Sequence, residues 1–230
     1  MRISFLQNEE FETPAYLITW ASLNLHETRI HNIYNGDALP HVDDFDLLIM
    51  MGGKGSVNDP LPNHLELQEL IVEAQMNEKI IIGICLGAQF IAKVFGAKIK
   101  SMGRKEIGFF NVEINNTDPY FEMFPENFLT AHWHGQYFEI PKGAKSIGSS
   151  IACSNQIFRI GNKIFAFQCH PEMTKESLSI MIKNLKDQIE EDKYVQNPKE
   201  MLELADKTCE NMNSVFGKFM DNIVELNVVN

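Results

Sequence analysis

The feature that most constrains the fold is the segment KIIIGICLGAQFIAKVFG, residues 79–96. An apolar run leads into the pentapeptide GICLG (83–87), and apolar residues at helical spacing follow. A nucleophile elbow is built in this way, with a strained residue between a buried strand and a helix. Flanking glycines avoid a Cβ clash, and the helix N-terminus favours a thiolate. The pattern therefore predicts that Cys85 is a nucleophile at the edge of a sheet; the alternative is a buried structural cysteine.

Strand-like and helix-like segments alternate through the first hundred residues. The predicted strands are RISFLQ (2–7), the TRIHNIY stretch, FDLLIMMGG (45–53) and IIIGIC, and the predicted helices are residues 14–25 and a segment opened by Pro60 and Pro62. This alternation is typical of a parallel sheet with helices on both faces. We expect an α/β fold with a doubly wound, mostly parallel central sheet.

After Gly96 the chain changes to short strand candidates separated by turn residues. They are FFNVEI, NFLTAHWHG, KSIGSS, NQIFRIG and KIFAFQCH, with a hairpin turn at GNK (161–163). This pattern predicts a small antiparallel portion of the sheet.

Two helices are predicted to close the chain, at about 174–193 and about 198–226. The second carries an apolar stripe over its length, which favours packing on its own domain; a dimer or partner surface is the alternative. No linker is visible, so the sequence predicts a single domain over 1–230. Its core covers about 1–190 and a C-terminal helical extension about 195–228.

Composition argues against several function classes. The chain has 20 basic and 31 acidic residues, a formal charge of −11, which disfavours binding to nucleic acid or to an anionic membrane. The N-terminal segment lacks the pattern of a signal peptide, and no apolar run has the length of a membrane span. The four cysteines lack metal-type pairing, which predicts free thiols and a cytoplasmic protein.

A thiolate nucleophile needs a base and a group that orients the base. In KIFAFQCHPEM, His170 follows an apolar strand, and Glu172 lies two positions beyond it. The sequence predicts that His170 is the base and Glu172 its orienting carboxylate, although a solvated histidine is the alternative for this short motif taken alone. Backbone N–H groups of Leu86, in the elbow, and of Gly53, in the MMGGKGS loop, are the candidate oxyanion donors.

These motifs together resemble the class I (triad) glutamine amidotransferases. The resemblance rests on GICLGAQ, the distant HPE and the earlier GG loop, and covers about residues 1–190. The sequence is most similar to the amidotransferase portion of GMP synthase and its stand-alone relatives. The resemblance implies a flavodoxin-like amidotransferase fold with an added C-terminal helix.

The resemblance also implies roles for individual residues. Cys85 would attack the glutamine amide, His170 would activate it, and Glu172 would orient the histidine. Gln89 would contact the substrate from the helix after the elbow. The remaining substrate-binding candidates are Gly135, Gln136 and Tyr137. The product of the first step would be a γ-glutamyl thioester plus ammonia, and neither a metal nor an organic cofactor is required.

The pair His132 and His134 raises the question of a metal. Residues i and i+2 of a strand point to the same side, so the two rings can share a ligand. Spacing supplies no third ligand, so the sequence predicts a structural or substrate-pocket role and no metal site. The KEIGF stretch (105–109) also resembles a family segment and receives no catalytic role.

Three functions remain open on the sequence. The prediction is a glutamine amidotransferase, or glutaminase, that releases glutamate and passes ammonia to a separate synthetase subunit, because no phosphate-binding loop is visible in the chain. The alternative is a stand-alone hydrolase of γ-glutamyl amides or peptides. A non-catalytic member of the fold is the third, and the complete Cys-His-Glu set argues against it.

Overall fold

The computed structural model describes residues 1–59 and 63–228. In this part of the chain the strands are β1 Arg2–Gln7, β2 Glu27–Asn32, β3 Leu47–Met50, β4 Ile80–Ile84, β5 Ile99–Ile114, β6 Asn127–Phe138, β7 Lys145–Ser150, β8 Ile157–Ile160 and β9 Ile164–Phe167. The helices are α1 Tyr16–Leu23, α2 His64–Met76, α3 Leu86–Val94, α4 Lys175–Asn184 and α5 Pro198–Val228. Pro60 and Pro62, predicted to open α2, lie outside the described residues.

The described strands form a nine-stranded sheet in the order β2-β1-β3-β4-β9-β8-β7-β5-β6. The pairs from β2 to β9 along this order are parallel, and the pairs from β9 to β6 are antiparallel. The predicted α/β fold is present, and the antiparallel pairs make up half of the sheet. The predicted GNK hairpin connects β8 and β9.

The sheet separates two apolar layers, because alternate residues of a strand point to opposite faces. Leu47 and Ile49 of β3 pack in one layer with α1, α4 and α5, while Leu48 and Met50 pack in the other with α2 and α3. Buried on both faces, β3 and β4 are almost wholly apolar, as is usual for central parallel strands.

Helix α5 packs on its own chain, as the sequence favoured. Buried side chains along its length belong to the same apolar layer as α1 and α4: Met201, Ala205, Cys209, Met212, Val215, Phe216, Phe219, Met220 and Ile223. The alternative role as a dimer surface stays a prediction.

One predicted helix is too long. Helix α4 ends at Asn184 instead of about 193, and a short 3₁₀ turn, Lys186–Gln188, follows. Leu185 is buried, and the Gln188 side chain accepts a hydrogen bond from Nε1 of Trp133 at 2.9 Å. The chain leaves the helix because these tertiary contacts outweigh the helical pattern. Among the described residues, no helix is long and apolar enough to span a bilayer.

Candidate active site

Three neighbouring strands bring the predicted site residues to one edge of the sheet. Gly53 follows β3, Cys85 follows β4 and His170 follows β9, and these strands are adjacent and parallel. The carboxyl ends of parallel strands are where α/β sheets place their sites. Residues far apart in sequence therefore meet because their strands are neighbours.

Cys85 occupies a strained turn between β4 and α3. Its φ of 50° and ψ of −105° lie outside the regions that side-chain-bearing residues prefer. A Cβ on Gly83 would lie 2.5 Å from the backbone of Gly87, and one on Gly87 would lie 2.3 Å from the carbonyl oxygen of Met50. The two glycines are therefore required for the close approach of strand and helix, as the sequence predicted.

His170 and Glu172 form a buried pair beside this turn. Nδ1 of His170 lies 2.8 Å from Oε1 of Glu172, and a protonated Nδ1 donates to that carboxylate. The His170 backbone N–H donates to the carbonyl of Ala131 at 2.8 Å, and this hydrogen bond anchors the start of the loop between β9 and α4 to β6. The pair leaves Nε2 as the ring nitrogen available to another group.

The electrostatics link His170 to Cys85. Burial by itself lowers the histidine pKa, but the Glu172 carboxylate and the negative charge that Cys85 carries as a thiolate outweigh burial and hold the pKa of His170 well above its usual range. By strict geometry, Nε2 of His170 has no hydrogen-bond partner in the described chain, and Sγ of Cys85 donates instead to the carbonyl of Trp133 at 3.9 Å. Sγ of Cys85 and Nε2 of His170 are therefore not hydrogen bonded to each other in this structure.

Gly53 and Leu86 lie together in the wall of one cavity. A Cβ on Gly53 would come within 2.9 Å of Cδ2 of Leu86, so the two residues are in contact range. Leu86 is the first residue of α3, where a backbone N–H has no intrahelical partner. Both residues line the same cavity as Cys85.

The cavity has a volume of about 310 Å³ and is large enough for an amino acid. It is lined by Glu12, Gly53, Lys54, Gly55, Cys85, Leu86, Gln89, Lys105, Ile107, Trp133, His134, Gly135, Gln136, Leu185 and Gln188. Of the three strand residues predicted to bind substrate, Gly135 and Gln136 are in this lining and Tyr137 is not.

Gln89 faces the cavity from α3, as predicted, and is tied to a residue that the sequence did not single out. Its Nε2 donates to Oε1 of Gln168 at 3.1 Å, and Nε2 of Gln168 lies 3.6 Å from Sγ of Cys85. Gln168 and His170 are i and i+2, so both face the sulfur while Cys169 points to the core. No sequence motif pointed to Gln168 beyond this alternation.

The family model described as "Glutamine amidotransferase class-I" matches residues 19–187. The chain belongs to this family. The family resemblance predicted from the elbow and the HPE motif is thereby confirmed.

Curated relatives of this class I amidotransferase fall into several kinds. YfeJ of Salmonella typhimurium, a glutamine amidotransferase-like protein, is 28% identical over 97% of both chains. Gamma-glutamyl peptidase 2 of Arabidopsis thaliana is 29% identical over 66% of this chain and 62% of its own length. The glutamine-hydrolyzing GMP synthase of Bacillus subtilis is 29% identical over 55% of this chain, which corresponds to 24% of that enzyme.

Solved structures agree on the fold. SMU.1228c superposes with a TM-score of 0.91 at 34% identity, over 97% of this chain and all of the other. A glutamine amidotransferase of Thermotoga maritima has a TM-score of 0.90 at 25% identity over 98% of both chains. The amidotransferase fold predicted from sequence is therefore confirmed.

Glu12 is an ionisable group of the cavity that sequence reasoning missed. Burial raises its pKa to about 7, and the positive charge of His170 acts in the opposite direction. A Cβ on Gly52 would lie 2.0 Å from Oε2 of Glu12 and 3.2 Å from Cε1 of His170, so this carboxyl stands next to the ring. The EFETP segment offered no motif that points to such a role.

The other three cysteines differ from Cys85 in their surroundings. Cys153, Cys169 and Cys209 are buried and free, and burial raises the pKa of each thiol above its usual value. A raised pKa lowers the thiolate fraction and with it the reactivity.

Proposed function

We propose that this protein is a glutamine amidotransferase whose Cys85 hydrolyses the side-chain amide of glutamine. The observation that carries the proposal is Cys85, held in a strained turn at the wall of an amino-acid-sized cavity, beside the buried His170–Glu172 pair. Strain of this kind at a cavity wall is typical of a nucleophile.

The first half of the reaction forms a thioester. Transfer of the Cys85 proton to Nε2 of His170 gives a thiolate–imidazolium pair, which the raised pKa of His170 favours, and the thiolate sulfur then adds to the amide carbon of glutamine. The N–H groups of Gly53 and Leu86 stabilise the oxyanion of the tetrahedral intermediate. The imidazolium donates its proton to the amide nitrogen, and the C–N bond breaks. Ammonia leaves, and Cys85 remains acylated as the γ-glutamyl thioester.

The second half hydrolyses the thioester. His170 removes a proton from water, hydroxide adds to the thioester carbon, and the C–S bond breaks to release glutamate. Glu172 keeps the ring in the tautomer and orientation that both halves need. Gln89, Gly135, Gln136 and Tyr137 are the proposed contacts to the amino-acid part of glutamine. The positions of Gln89, Gly135 and Gln136 in the cavity wall support three of these contacts. Ammonia passes to an acceptor on a separate synthetase subunit.

A second candidate function is hydrolysis of γ-glutamyl amides or peptides without a partner. It is favoured by the match to gamma-glutamyl peptidase 2, which covers more of the relative's length than does the match to GMP synthase. The same nucleophile and base serve both reactions. The two differ in whether the group on the amide nitrogen is hydrogen or a larger substituent.

The test compares glutamine with a panel of γ-glutamyl amides and follows ammonia, free amine and glutamate. An amidotransferase subunit is expected to hydrolyse glutamine slowly alone and faster with its synthetase, whereas a γ-glutamyl hydrolase prefers substituted amides and is fully active alone. Cys85→Ala is expected to lower kcat by at least ~10³-fold, in the range seen for loss of a nucleophile. Parent-like activity in that variant would disprove the nucleophile.

A labelling experiment checks the same assignment independently. A diazo-ketone analogue of glutamine is expected to modify Cys85 and none of the other three thiols, because only Cys85 lines the cavity and the other pKa values are raised. Cys153→Ala is the matched control and should label like the parent. Mapping of the adduct to Cys153, Cys169 or Cys209 would contradict the proposal.

A further inference from the structure

A buried trio of one carboxylate and two imidazoles lies where β5 and β6 pair. Glu106 is directly opposite His134 in the register, and His132 is two residues earlier on the same strand face. The three side chains are at most 1% exposed, and one ligand atom from each lies within 4.8 Å of the others. Glu106 is the third ligand that spacing in the sequence did not supply, because it comes from the neighbouring strand.

Backbone carbonyls determine which ring nitrogens carry hydrogen. Nδ1 of His134 lies 3.0 Å from the carbonyl oxygen of Gln136, and Nε2 of His132 lies 3.3 Å from that of Phe110. A carbonyl only accepts, so these two nitrogens are the donors. In neutral rings the opposite nitrogens, Nε2 of His134 and Nδ1 of His132, therefore present bare lone pairs.

Both lone pairs face the same carboxylate oxygen. Oε2 of Glu106 lies 3.0 Å from Nε2 of His134 and 3.5 Å from Nδ1 of His132. Nδ1 of His132 is fully buried and has no hydrogen-bond partner among the described residues. A cation among the three atoms would relieve both of these repulsive contacts.

We propose that Glu106, His132 and His134 bind a divalent first-row metal ion of the Zn²⁺ type. Two imidazole nitrogens and one carboxylate oxygen form a ligand set typical of zinc. At metal–ligand distances of about 2.0–2.1 Å, tetrahedral ligands lie roughly 3.3 Å apart. The two measured edges bracket that spacing, and the carbonyls of Gln136 and Phe110 are the outer partners that metal-bound histidines usually have.

Gln156 is positioned to complete the site. Its Nε2 lies 2.8 Å from Oε2 of Glu106 and 3.3 Å from Nε2 of His134, and its buried Oε1 has no partner in the described chain. Reversing the amide brings Oε1 to the same centre as a fourth donor. The Ser150 hydroxyl donates to Oε1 of Glu106 at 2.8 Å, which holds the carboxylate with Oε2 towards the rings.

The burial indicates a structural role for this metal. The ion would join β5 to β6 directly before Gly135 and Gln136, which line the cavity together with His134. It would fix the strand that forms one wall of the cavity, and it would not activate water for the chemistry at Cys85. The metal-site proposal is therefore independent of the proposed reaction and can be tested separately.

The experiment measures binding of Co²⁺ and Zn²⁺ to the chelator-stripped full chain. Titration is followed by the visible absorption of Co²⁺, by metal content after desalting and by Tm. The ligand variants are Glu106→Gln and His132→Phe. The matched control is His31→Phe, because His31 is also buried, with Nδ1 3.1 Å from the Ala38 carbonyl and Nε2 unpartnered in the described chain, but it is not part of the trio. Cys85→Ala tests for adventitious binding at the thiol.

The parent, His31→Phe and Cys85→Ala are expected to bind one ion per chain with the intense absorption of four-coordinate Co²⁺. The ligand variants should bind more than ~100-fold more weakly, because loss of an outer partner alone costs about 10–100-fold. Zn²⁺ should raise the Tm of the parent but not that of His132→Phe. Absence of binding to the parent, unchanged binding in His132→Phe, or loss of binding in Cys85→Ala would overturn the proposal. Should both ligand variants fail to fold, the parent and Cys85→Ala titrations decide.

Discussion

Glu172 controls the protonation of His170, the ring on which the proposed chemistry depends. The carboxylate opposes burial and keeps the histidine pKa well above its usual range. We expect Glu172→Gln to lower the pKa of His170, measured by NMR titration of the imidazole. We expect kcat to fall by about 10²–10⁴-fold, since without the carboxylate the imidazole is no longer held in the tautomer and orientation that the reaction needs.

Glu176→Gln is the control for this prediction, because Glu176 is exposed in the first turn of α4. The NMR titration curve of His170 in the Glu176→Gln variant should superpose on that of the parent. An unchanged His170 titration in Glu172→Gln would mean that the 2.8 Å contact has no electrostatic effect on the ring.

Glu12 predicts a pH dependence of stability. Its pKa is raised to about 7 in the folded chain, above its unfolded value, so the folded state binds more protons between these values. The free energy of unfolding should therefore decrease as pH rises through this window. Glu12→Gln removes the buried charge and is expected to be more stable than the parent at about pH 8, by up to about 3 kcal/mol, and similar to it at about pH 4.

Urea unfolding at the two pH values measures this effect. Glu10→Gln, a change at a neighbouring exposed glutamate, is the control and should change little at either pH. A Glu12→Gln variant that is equally destabilised at both pH values would show that the carboxyl has a structural hydrogen-bonding role and is not a desolvated charge.

At the residue scale, a local motif was enough to single out residues that the structure brings together. Cys85 between two glycines, and His170 two residues before Glu172, are each readable within a few positions. Glu12, Gln168 and Glu106 were missed because their partners are distant: Glu12 meets the ring of His170 only through the neighbouring strands, and Glu106 meets His134 only through the register of β5 and β6.

At the scale of elements, helix α5 supports the loop that carries the predicted base. The buried Asn213 amide donates to the carbonyls of Pro171 at 2.9 Å and Met173 at 3.1 Å, on both sides of Glu172. Asn213→Leu removes both donors and leaves two buried carbonyls unpaired. We expect a loss of about 2–4 kcal/mol in urea unfolding, from about 1–3 kcal/mol per unsatisfied group, together with a lower kcat because the loop is no longer held.

The same helix supplies the control. Asn222 also donates its amide to a backbone carbonyl, that of Pro119 at 3.0 Å, but at the exposed end of the helix. Asn222→Leu should change stability little and kcat not at all. Equal effects of the two substitutions on kcat would show that Asn213 stabilises the helix in general and does not position the loop.

Element boundaries were predictable where the signal is local. The hairpin of β8 and β9 follows from a turn sequence between two apolar runs, and α3 follows from its spacing. By contrast, β5 begins at Ile99 and passes through an irregular pairing between Ser101 and Glu106. The sequence indicated only its second half, because the first half is made a strand by pairing with β6 and not by its own residues.

At the scale of the whole molecule, the order of strands decides which residues meet. Sequence reasoning placed Gly53, Cys85 and His170 each after an apolar strand, but it could not show which strands are neighbours. The adjacency of β3, β4 and β9 brings the three loops together, while the antiparallel strands contribute the opposite cavity wall. The family resemblance implied the fold in which these loops meet, whereas composition only argued against other functions such as nucleic-acid or membrane binding.

The C-terminal helix is part of the core that holds these strands, which gives a prediction for the whole fold. Phe219 is fully buried, with ring centroids of five other phenylalanines between 5.2 and 5.8 Å away, including Phe165 and Phe167 of β9. Phe219→Ala leaves a cavity beneath the strand that leads to His170. We expect a loss of about 3–5 kcal/mol in urea unfolding.

Leu65→Ala is the control, because Leu65 on α2 is 73% exposed, and its loss should change stability by less than about 0.5 kcal/mol. Activity at temperatures well below the Tm should survive in Phe219→Ala, since the packing lies beneath the site and not in it. A change below about 1 kcal/mol in Phe219→Ala, where full burial predicts several, would show that α5 is an accessory to the domain. The apolar stripe of α5 would then be explained by binding to a second copy of the chain or to a partner, which is the alternative given in the sequence analysis.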